Sequence, residues 1–300
     1  HVEDTINLLA HAARKLLSCA AELADTTPAR FAAKAGVPML AHKSIKAALD
    51  IEWSDPSKKS SAIVTLVEQL DRLEAWVRRE LASEVDELPL SEHLATLAQL
   101  RAQDLDPEPP GGTPRIRKGV AEDRRVSVED PDMRHGRKSK SKRFNGFKSH
   151  IAMDMDTDLI LACAVMPANR PEEEGVPLLR DDLAIPSHDI RELFIDRGYI
   201  ASADVRAMAD AGRTVVCKPW AQPNGRFFPK SAFLIDIRRK VITCPNGKQR
   251  AFELGTTIQF TPSDCRQCPK RSLCTAGALD HGRQVRIAED EPLQQKLRKE

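Results

Sequence analysis

One acidic residue in this sequence directly follows an apolar run, in the segment Leu193-Phe-Ile-Asp-Arg-Gly-Tyr199. A carboxylate at the carboxyl end of a buried strand lies where α/β folds place their binding sites, and a glycine two residues later leaves room for a ligand. Carboxylate oxygens are also the ligands that Mg²⁺ prefers. Asp196 is therefore a candidate metal ligand, although an aspartate after a strand more often forms an ordinary turn.

Four of the seven cysteines form a second pattern. Cys244 is followed after twenty residues by Cys265-Arg-Gln-Cys268 and, after five more, by Cys274. Four thiolates can close a structural, tetrahedral Zn²⁺ site; an iron–sulfur cluster would need the same thiolates, and four separate reduced thiols remain an alternative. His281 is a possible replacement ligand. The other cysteines lie in apolar runs and are predicted core residues: Cys19, Cys163 and Cys217.

Positive charge is concentrated in the middle of the chain. From Pro114 to Lys148, twelve basic residues stand against five acidic ones, a net charge of +7 in a chain whose total is +2. Such a segment predicts a polyanion site, because each neutralised phosphate releases condensed counterions; a solvated, flexible loop is the alternative. The candidate contacts are Arg134, Arg137, Lys138, Lys140, Lys142, Arg143, Lys148 and His150. On a strand, Lys148 and His150 would share one face, which could also be the polar face of an edge strand.

The helices and strands that must position these residues are predicted from the spacing of apolar residues along the chain. Apolar residues at three- and four-residue steps predict helices over 1–105, and the Pro- and Gly-rich stretch that follows predicts a linker and basic loop over 106–125. An α/β core built around one mixed sheet is expected at 126–243, a Cys-rich insert at 244–280 and the start of a further helix at 281–300. Strands are predicted at 126–128, 147–154, 159–166, 190–195, 214–217, 233–237 and 241–243.

Composition excludes several classes of protein. With 41% hydrophobic and 30% charged residues, the chain is in the globular range. Its longest apolar run, Leu159 to Met166, is too short to span a bilayer, and no signal peptide pattern is present. Sparse cysteines indicate reduced thiols and a cytoplasmic protein. Aromatic residues make up only 4%, which argues against a base-stacking platform.

Four spaced motifs carry a resemblance to a known family. They are Asp130-Pro-Asp-Met-Arg-His-Gly-Arg-Lys138, Phe144-Asn-Gly-Phe-Lys-Ser-His150, Met166-Pro-Ala-Asn169 and Ile195-Asp-Arg-Gly-Tyr199. In this order they resemble bacterial insertion-sequence transposases of the DDE type, in the branch with a cysteine-containing insert. The resemblance implies an RNase H-like core, dependence on Mg²⁺ and recognition of the terminal repeats of a mobile element in double-stranded DNA. It also places the matching Lys and His, here Lys148 and His150, near the catalytic centre.

The resemblance assigns roles to three acids. Asp196 matches the second catalytic aspartate of the family. The first usually lies in an Asp-(Ser/Gly)-Thr motif, and because Val2-Glu-Asp-Thr5 resembles the segment just after that motif, we expect it upstream of His1, with Asp130 as an in-chain substitute. The third, a helical glutamate, is expected near or beyond Glu300. Candidates by position alone are Glu289, Glu291 and Glu300.

The sequence leaves three functions open. The first is a transposase, here a fragment, that cleaves and transfers DNA strands, active as a homodimer in the cytoplasm of a bacterium and associated with its nucleoid. The second is an inactive, transposase-derived protein that binds DNA or zinc. The third is a metal-dependent nuclease of the same fold without strand transfer. The number of catalytic carboxylates separates the first from the second, and product analysis on DNA separates the first from the third.

Overall fold

The fold is described from a computed structural model that defines residues 2–106, 112–139, 141–184 and 189–299. Lys140, a predicted DNA contact, and Glu300 lie outside these described residues. The chain divides into two compact units, each described here by itself. The first comprises His1–Lys148 and Pro167–Asn169, and the second comprises Ser149–Met166 and Arg170–Glu300.

The first unit begins with a bundle of helices, as its apolar periodicity predicts. The helices are α1 (Val2–Leu23), α2 (Pro28–Lys34), α3 (Ile45–Leu49), α4 (Pro56–Glu80) and α5 (Leu90–Asp104). α1 packs against α2, α4 and α5, and its stripe of Ile6, Leu9 and Leu16 is fully buried. Thr27 caps α2 by accepting the N–H of Arg30 at 3.3 Å, and Asp55 caps α4 in the same way.

A buried polar network holds the segment after the proline-rich stretch onto these helices. The Asp104 carboxylate accepts hydrogen bonds from Thr5 Oγ1 at 2.8 Å and from Arg124 Nε at 2.6 Å. The buried Arg125 guanidinium donates to the carbonyls of Ser127 and Val128. Residues 126–128 were predicted to form a strand, and this prediction is wrong because Arg125 takes the carbonyl groups that a neighbouring strand would need.

Asp104→Ala should lower the free energy of unfolding of the first unit by about 3 kcal/mol, because it leaves the Arg124 guanidinium buried without its counterion. Denaturant titration followed by tryptophan fluorescence measures the loss, since Trp53 and Trp76 both lie in this unit. Asp106→Ala is the matched control. Asp106 is exposed and lies 3.9 Å from Arg117, so its loss should cost less than about 1 kcal/mol. Equal losses in both variants would contradict the role given to Asp104.

A hairpin completes the first unit. Strand β1 (Arg134–Arg137) pairs antiparallel with β2 (Arg143–Met153), which places Arg134 opposite Gly146 and Arg137 opposite Arg143. At Gly136 an added Cβ would lie 2.6 Å from the Ala168 Cβ, so only glycine fits there. A third strand, β3 (Ile160–Pro167), gives the sheet order β1-β2-β3.

The position of β3 agrees with the prediction for 159–166, but its burial does not. The continuous apolar run predicts a strand buried on both faces, whereas Val165 is 63% exposed and Cys163, on the same face, is also exposed. Ala162 and Met166, on the opposite face, are buried. Since side chains alternate along a strand, only one face of β3 is covered in the described structure.

The second unit contains a parallel pair of strands joined by a helix. After α6 (Gly175–Ala184), the chain forms β4 (Glu192–Phe194), α7 (Ala203–Asp210) and β5 (Thr214–Val216). β4 and β5 are parallel, with Leu193 opposite Val215. Ser202 caps α7 by accepting the N–H of Asp204, and Val205 and Val215 belong to the core beneath this βαβ unit.

The remainder of the second unit surrounds an aromatic core. β6 (Leu234–Asp236), β7 (Val241–Thr243) and β8 (Gln249–Ala251) form an antiparallel sheet, and β9 (Thr257–Gln259) pairs with β10 (Gln284–Arg286). The helices are α8 (Pro262–Arg266) and α9 (Glu291–Leu297). The shared core contains Phe233, Ile242, Phe252, Phe260, Val285 and Ile287.

The arrangement of the sheets differs from the single mixed sheet that was expected. The described residues form four small sheets, of two or three strands each. The sheet β6-β7-β8 runs across the predicted boundary between residues 243 and 244. The Cys-rich segment therefore shares its core with the strands on both sides of it.

Candidate functional site

Asp196 lies at the carboxyl end of β4, where the ladder with β5 stops. The last ladder bond runs from the Ile195 N–H to the Val216 carbonyl at 3.1 Å. The Asp196 carboxylate is exposed, and its Oδ1 accepts the N–H of Arg197 at 2.6 Å, which caps the short 3-10 turn Arg197–Tyr199. Asp196 thus forms a turn and also presents a surface carboxylate, so the two interpretations of the sequence are compatible.

A second carboxylate, that of Glu172, packs against the turn that follows Asp196. A Cβ added at Gly198 would lie 1.8 Å from Glu172 Oε2, so the carboxylate occupies the space that a side chain at this position would fill. From the sequence, that space was expected to hold a ligand, and Glu172 was not identified. Three consecutive glutamates, Glu172 to Glu174, were the signal, but nothing in the run shows which of them faces the turn.

His150 contacts the same turn through Tyr199. His150 Nδ1 lies 2.8 Å from the Tyr199 hydroxyl, and the two rings meet edge to face with centroids 5.7 Å apart. His150 is only 2% exposed, although the basic pattern of the sequence predicted a DNA contact. The structure therefore places the imidazole behind the turn, where it holds Tyr199, rather than on the surface.

Glu172→Gln should lower the pKa of Tyr199. Burial raises that pKa above its ordinary value, and the negative charges of Glu172 and Asp196 raise it further. Tyr199 is the only tyrosine of the chain, so the absorbance of tyrosinate during a pH titration reports this group alone. Glu173→Gln should leave the pKa of Tyr199 unchanged. A Glu172→Gln variant that titrates like the wild type would show that this carboxylate does not lie beside the turn.

A cation and an aromatic ring lie beside Asp196. The Arg197 guanidinium lies 5.4 Å from the centroid of the Trp220 ring, within the range of a cation–π interaction. Trp220 is itself exposed. The turn therefore combines a carboxylate, a guanidinium and an exposed aromatic face.

Asp196 and Tyr199 also line a cleft of about 690 Å³ within the second unit. Most of its other lining is apolar, including Ile151, Leu161 and Phe194. An apolar wall offers few partners to a phosphate or to water. The polar groups that bond-breaking chemistry needs are therefore expected from the turn and not from the floor of the cleft.

The acids do not form a complete metal site. Across the part of the chain that the structure describes, no group of three or more His, Cys, Asp or Glu side chains is arranged to hold a metal ion. Glu289 is 3.2 Å from Arg206. Glu291 is 1% exposed and forms ion pairs with Lys230 and Arg298, so its carboxylate is enclosed.

Asp130, the in-chain candidate for the first catalytic aspartate, belongs to the first unit and forms a turn ahead of β1. Its Oδ1 accepts the N–H groups of Asp132 at 2.9 Å and Met133 at 3.1 Å, and its own N–H donates to Ser127 Oγ at 3.1 Å. This pattern is an Asx turn. The structure thus gives Asp130 a local role in turning the chain into the hairpin.

The exposed positive charge of the first unit lies around the β1–β2 turn. We call the exposed side chains there the hairpin cations: Arg137, Lys138, Lys142 and Arg143. The turn is closed by a hydrogen bond from the Lys138 N–H to the Lys142 carbonyl at 2.9 Å. Within the described ranges, no carboxylate forms an ion pair with any of the four. A compact, uncompensated positive surface results, as the polyanion hypothesis requires.

Other basic residues of the segment are used inside the first unit. Arg134 is buried, and its guanidinium donates to both carboxylate oxygens of Asp123, at 2.7 and 3.0 Å. Lys148 is half-buried. The basic segment therefore contains two groups of residues, one that stabilises the fold and one that faces solvent.

The four patterned cysteines come together in the second unit. Cys244, Cys265, Cys268 and Cys274 all line one cavity of about 30 Å³. Of the cysteines predicted to be core residues, Cys19 is buried, Cys217 is half-buried and Cys163 is exposed. The prediction for Cys163 is wrong because it lies on the uncovered face of β3.

Comparison with known proteins supports the interpretation of the motifs. Residues 114–255 match the family described as "Transposase DDE domain". The matched segment includes the hairpin cations, Glu172 and Asp196. No match was found to a curated protein or to a solved structure.

Residues 114–255, just under half of the chain, are therefore similar to the transposase DDE domain family. Their mixed α/β structure with several small sheets, preceded by helices, is consistent with an RNase H-like domain. The family indicates a function of the transposase type, with DNA as the substrate and a divalent metal as the usual cofactor. Among the helices of the described ranges, none is both long enough and apolar enough to cross a bilayer.

Proposed function

We propose that the chain acts as a transposase on double-stranded DNA, cleaving and transferring strands at the ends of a mobile insertion element. One observation carries the proposal: Asp196 presents an exposed carboxylate at the carboxyl end of β4, inside the segment that matches the transposase DDE domain. This is the edge of a parallel strand pair at which α/β folds bind their ligands.

The hairpin cations supply the proposed contact with DNA. They are exposed and adjacent, and their charges are not neutralised by described carboxylates. Contacts of this kind position a duplex through its phosphates and do not read its bases. Arg134 and His150 are not part of the proposed surface because both are buried.

The family generally uses Mg²⁺, which activates an attacking oxygen and stabilises a leaving one when it is bound. Asp196 and Glu172 are oxygen donors of the type that Mg²⁺ prefers, and both contact one short turn: Asp196 accepts the N–H of Arg197, and Glu172 lies beside Gly198. The described residues contribute no third acid to this pair, so the donor set within them is partial.

The incomplete acid set favours a second candidate function. A transposase-derived protein that has lost catalysis would keep the hairpin cations and bind DNA without cutting it. A nuclease of the same fold would cut DNA without joining it.

One experiment separates the three candidates. The chain is incubated with Mg²⁺ and a plasmid that carries the ends of the element. Joined strands identify a transposase, free 3′-OH ends without joining identify a nuclease, and binding without any cleavage identifies the remnant.

We further propose that the active complex is a homodimer on DNA in the bacterial cytoplasm. A mobile element has two DNA ends, and one copy of the chain bound at each end would supply one catalytic site for each end. Light scattering of the complex with a DNA duplex of one element end, compared with a duplex that joins two ends, measures the number of chains bound.

A further inference from the structure

We propose that Cys244, Cys265, Cys268 and Cys274 bind one structural Zn²⁺ ion, separate from the proposed catalytic site at Asp196. All four line a single cavity in the second unit, although they come from two stretches of chain. The spacing of the cysteines in the sequence did not show whether all four meet, and the structure brings them to one cavity. Four thiolates form a closed tetrahedral site, which is structural rather than catalytic.

The backbone around the cysteines forms two loops that face the cavity. Cys244 lies in the β7–β8 turn, which is closed by hydrogen bonds between Cys244 and its neighbours Gly247 and Lys248, both at 2.8 Å. Cys265 and Cys268 form a second turn at the end of α8. Lys270 Nζ donates to the Pro245 carbonyl and so joins the two loops. The ligands are therefore held on short, hydrogen-bonded turns.

The charges around the cavity suit a zinc centre. Four thiolates and one Zn²⁺ carry a net charge of −2, which needs compensation at a partly buried site. The same cavity is lined by four basic residues and one acidic residue: Lys248, Lys270, Arg271, Arg283 and Asp264. Asp264 is itself paired with Arg250 and Lys248. The surroundings thus favour a negatively charged group at this place.

The size of the cavity favours a single ion. The open space of about 30 Å³ has room for only one or two atoms of the size of a water molecule, whereas an iron–sulfur cluster brings several iron and sulfide ions. Within the described residues, the four thiols line the cavity but are not arranged as a metal-bound set. Zinc binding would bring the four sulfurs inward into the space they already line.

Metal analysis of the full chain, purified under reducing conditions without chelators, tests the proposal. We expect about one zinc per chain. Replacement of the bound Zn²⁺ by Co²⁺ should give the intense visible absorption of a tetrahedral thiolate site. Cys268→Ser should weaken Zn²⁺ binding at least about a hundredfold, since even outer partners of a metal site contribute 10- to 100-fold.

Two further variants control for folding and for non-specific thiols. Cys274→His should retain zinc and shift the Co²⁺ spectrum, because three thiolates and one imidazole also form a structural zinc site. Cys163→Ser, at an exposed cysteine outside the cavity, should bind zinc like the wild type. A reduced wild-type chain with neither zinc nor tetrahedral Co²⁺ absorption overturns the proposal. So does the presence of iron and sulfide, or an equal loss of zinc in Cys163→Ser.

Discussion

Asp196→Asn should reduce metal-dependent DNA cleavage about a thousandfold while leaving DNA binding nearly unchanged. A metal ion contributes several kcal/mol to the transition state, and each 1.36 kcal/mol is a factor of about ten in rate. The amide keeps the size of the side chain and can still accept the N–H of Arg197, so the turn should survive. The loss is therefore expected in the chemistry and not in the fold.

Asp210→Asn is the matched control for this substitution. Asp210 is an exposed aspartate at the end of α7, in the same unit, and its change should leave cleavage unaffected. Cleavage rates on an end-labelled duplex, together with thermal melting of each variant, make the comparison. If Asp196→Asn cleaved at the wild-type rate, this residue would not belong to the site.

The double variant Arg137→Glu with Lys138→Glu should weaken DNA binding at all sequences, by more than about tenfold at moderate salt. It should also reduce the slope of log K against log salt by about two, because each lost phosphate contact lowers the slope by about one. Both residues are exposed at the β1–β2 turn, so the fold should tolerate their replacement. Fluorescence anisotropy of a labelled duplex over a range of salt concentrations measures both quantities.

The control for this variant places the same charge change on another turn. Arg238 and Arg239 are adjacent, exposed arginines between β6 and β7 in the second unit. Their replacement by glutamate changes the net charge of the chain equally. If both double variants reduced the slope of log K against log salt equally, DNA binding would depend only on the net charge of the chain. The hairpin cations would then not be a specific DNA-binding surface.

Local patterns in the sequence predicted the elements that carry the site. The apolar run before Asp196 indicated its place at the end of a strand, and apolar residues at three- and four-residue steps indicated the helices of the first unit. The exposure of Arg137 and Lys138 followed from a polar, highly charged turn that no core could bury. Each of these properties depends on neighbours in the sequence.

Properties that depend on distant partners could not be predicted in this way. Glu172 faces the turn after Asp196 only because Gly198 leaves space, and these residues are far apart in the chain. Arg134 matches the basic pattern, yet it is buried and forms an ion pair with Asp123. Cys163 lies in an apolar run, but the face of β3 that it occupies is uncovered. In each case the tertiary structure, and not the local sequence pattern, decided where the side chain lies.

Mapping of 3′-OH ends on a plasmid that carries the element ends tests the catalytic role of Asp196 most directly. We expect new 3′-OH ends at the boundaries of the element when Mg²⁺ is present, none in the presence of a chelator, and none with Asp196→Asn. Ends that form equally without a divalent metal, or equally with Asp196→Asn, would contradict that role. A wild-type chain that binds this DNA and never cuts it would contradict catalysis altogether and leave the DNA-binding remnant as the function.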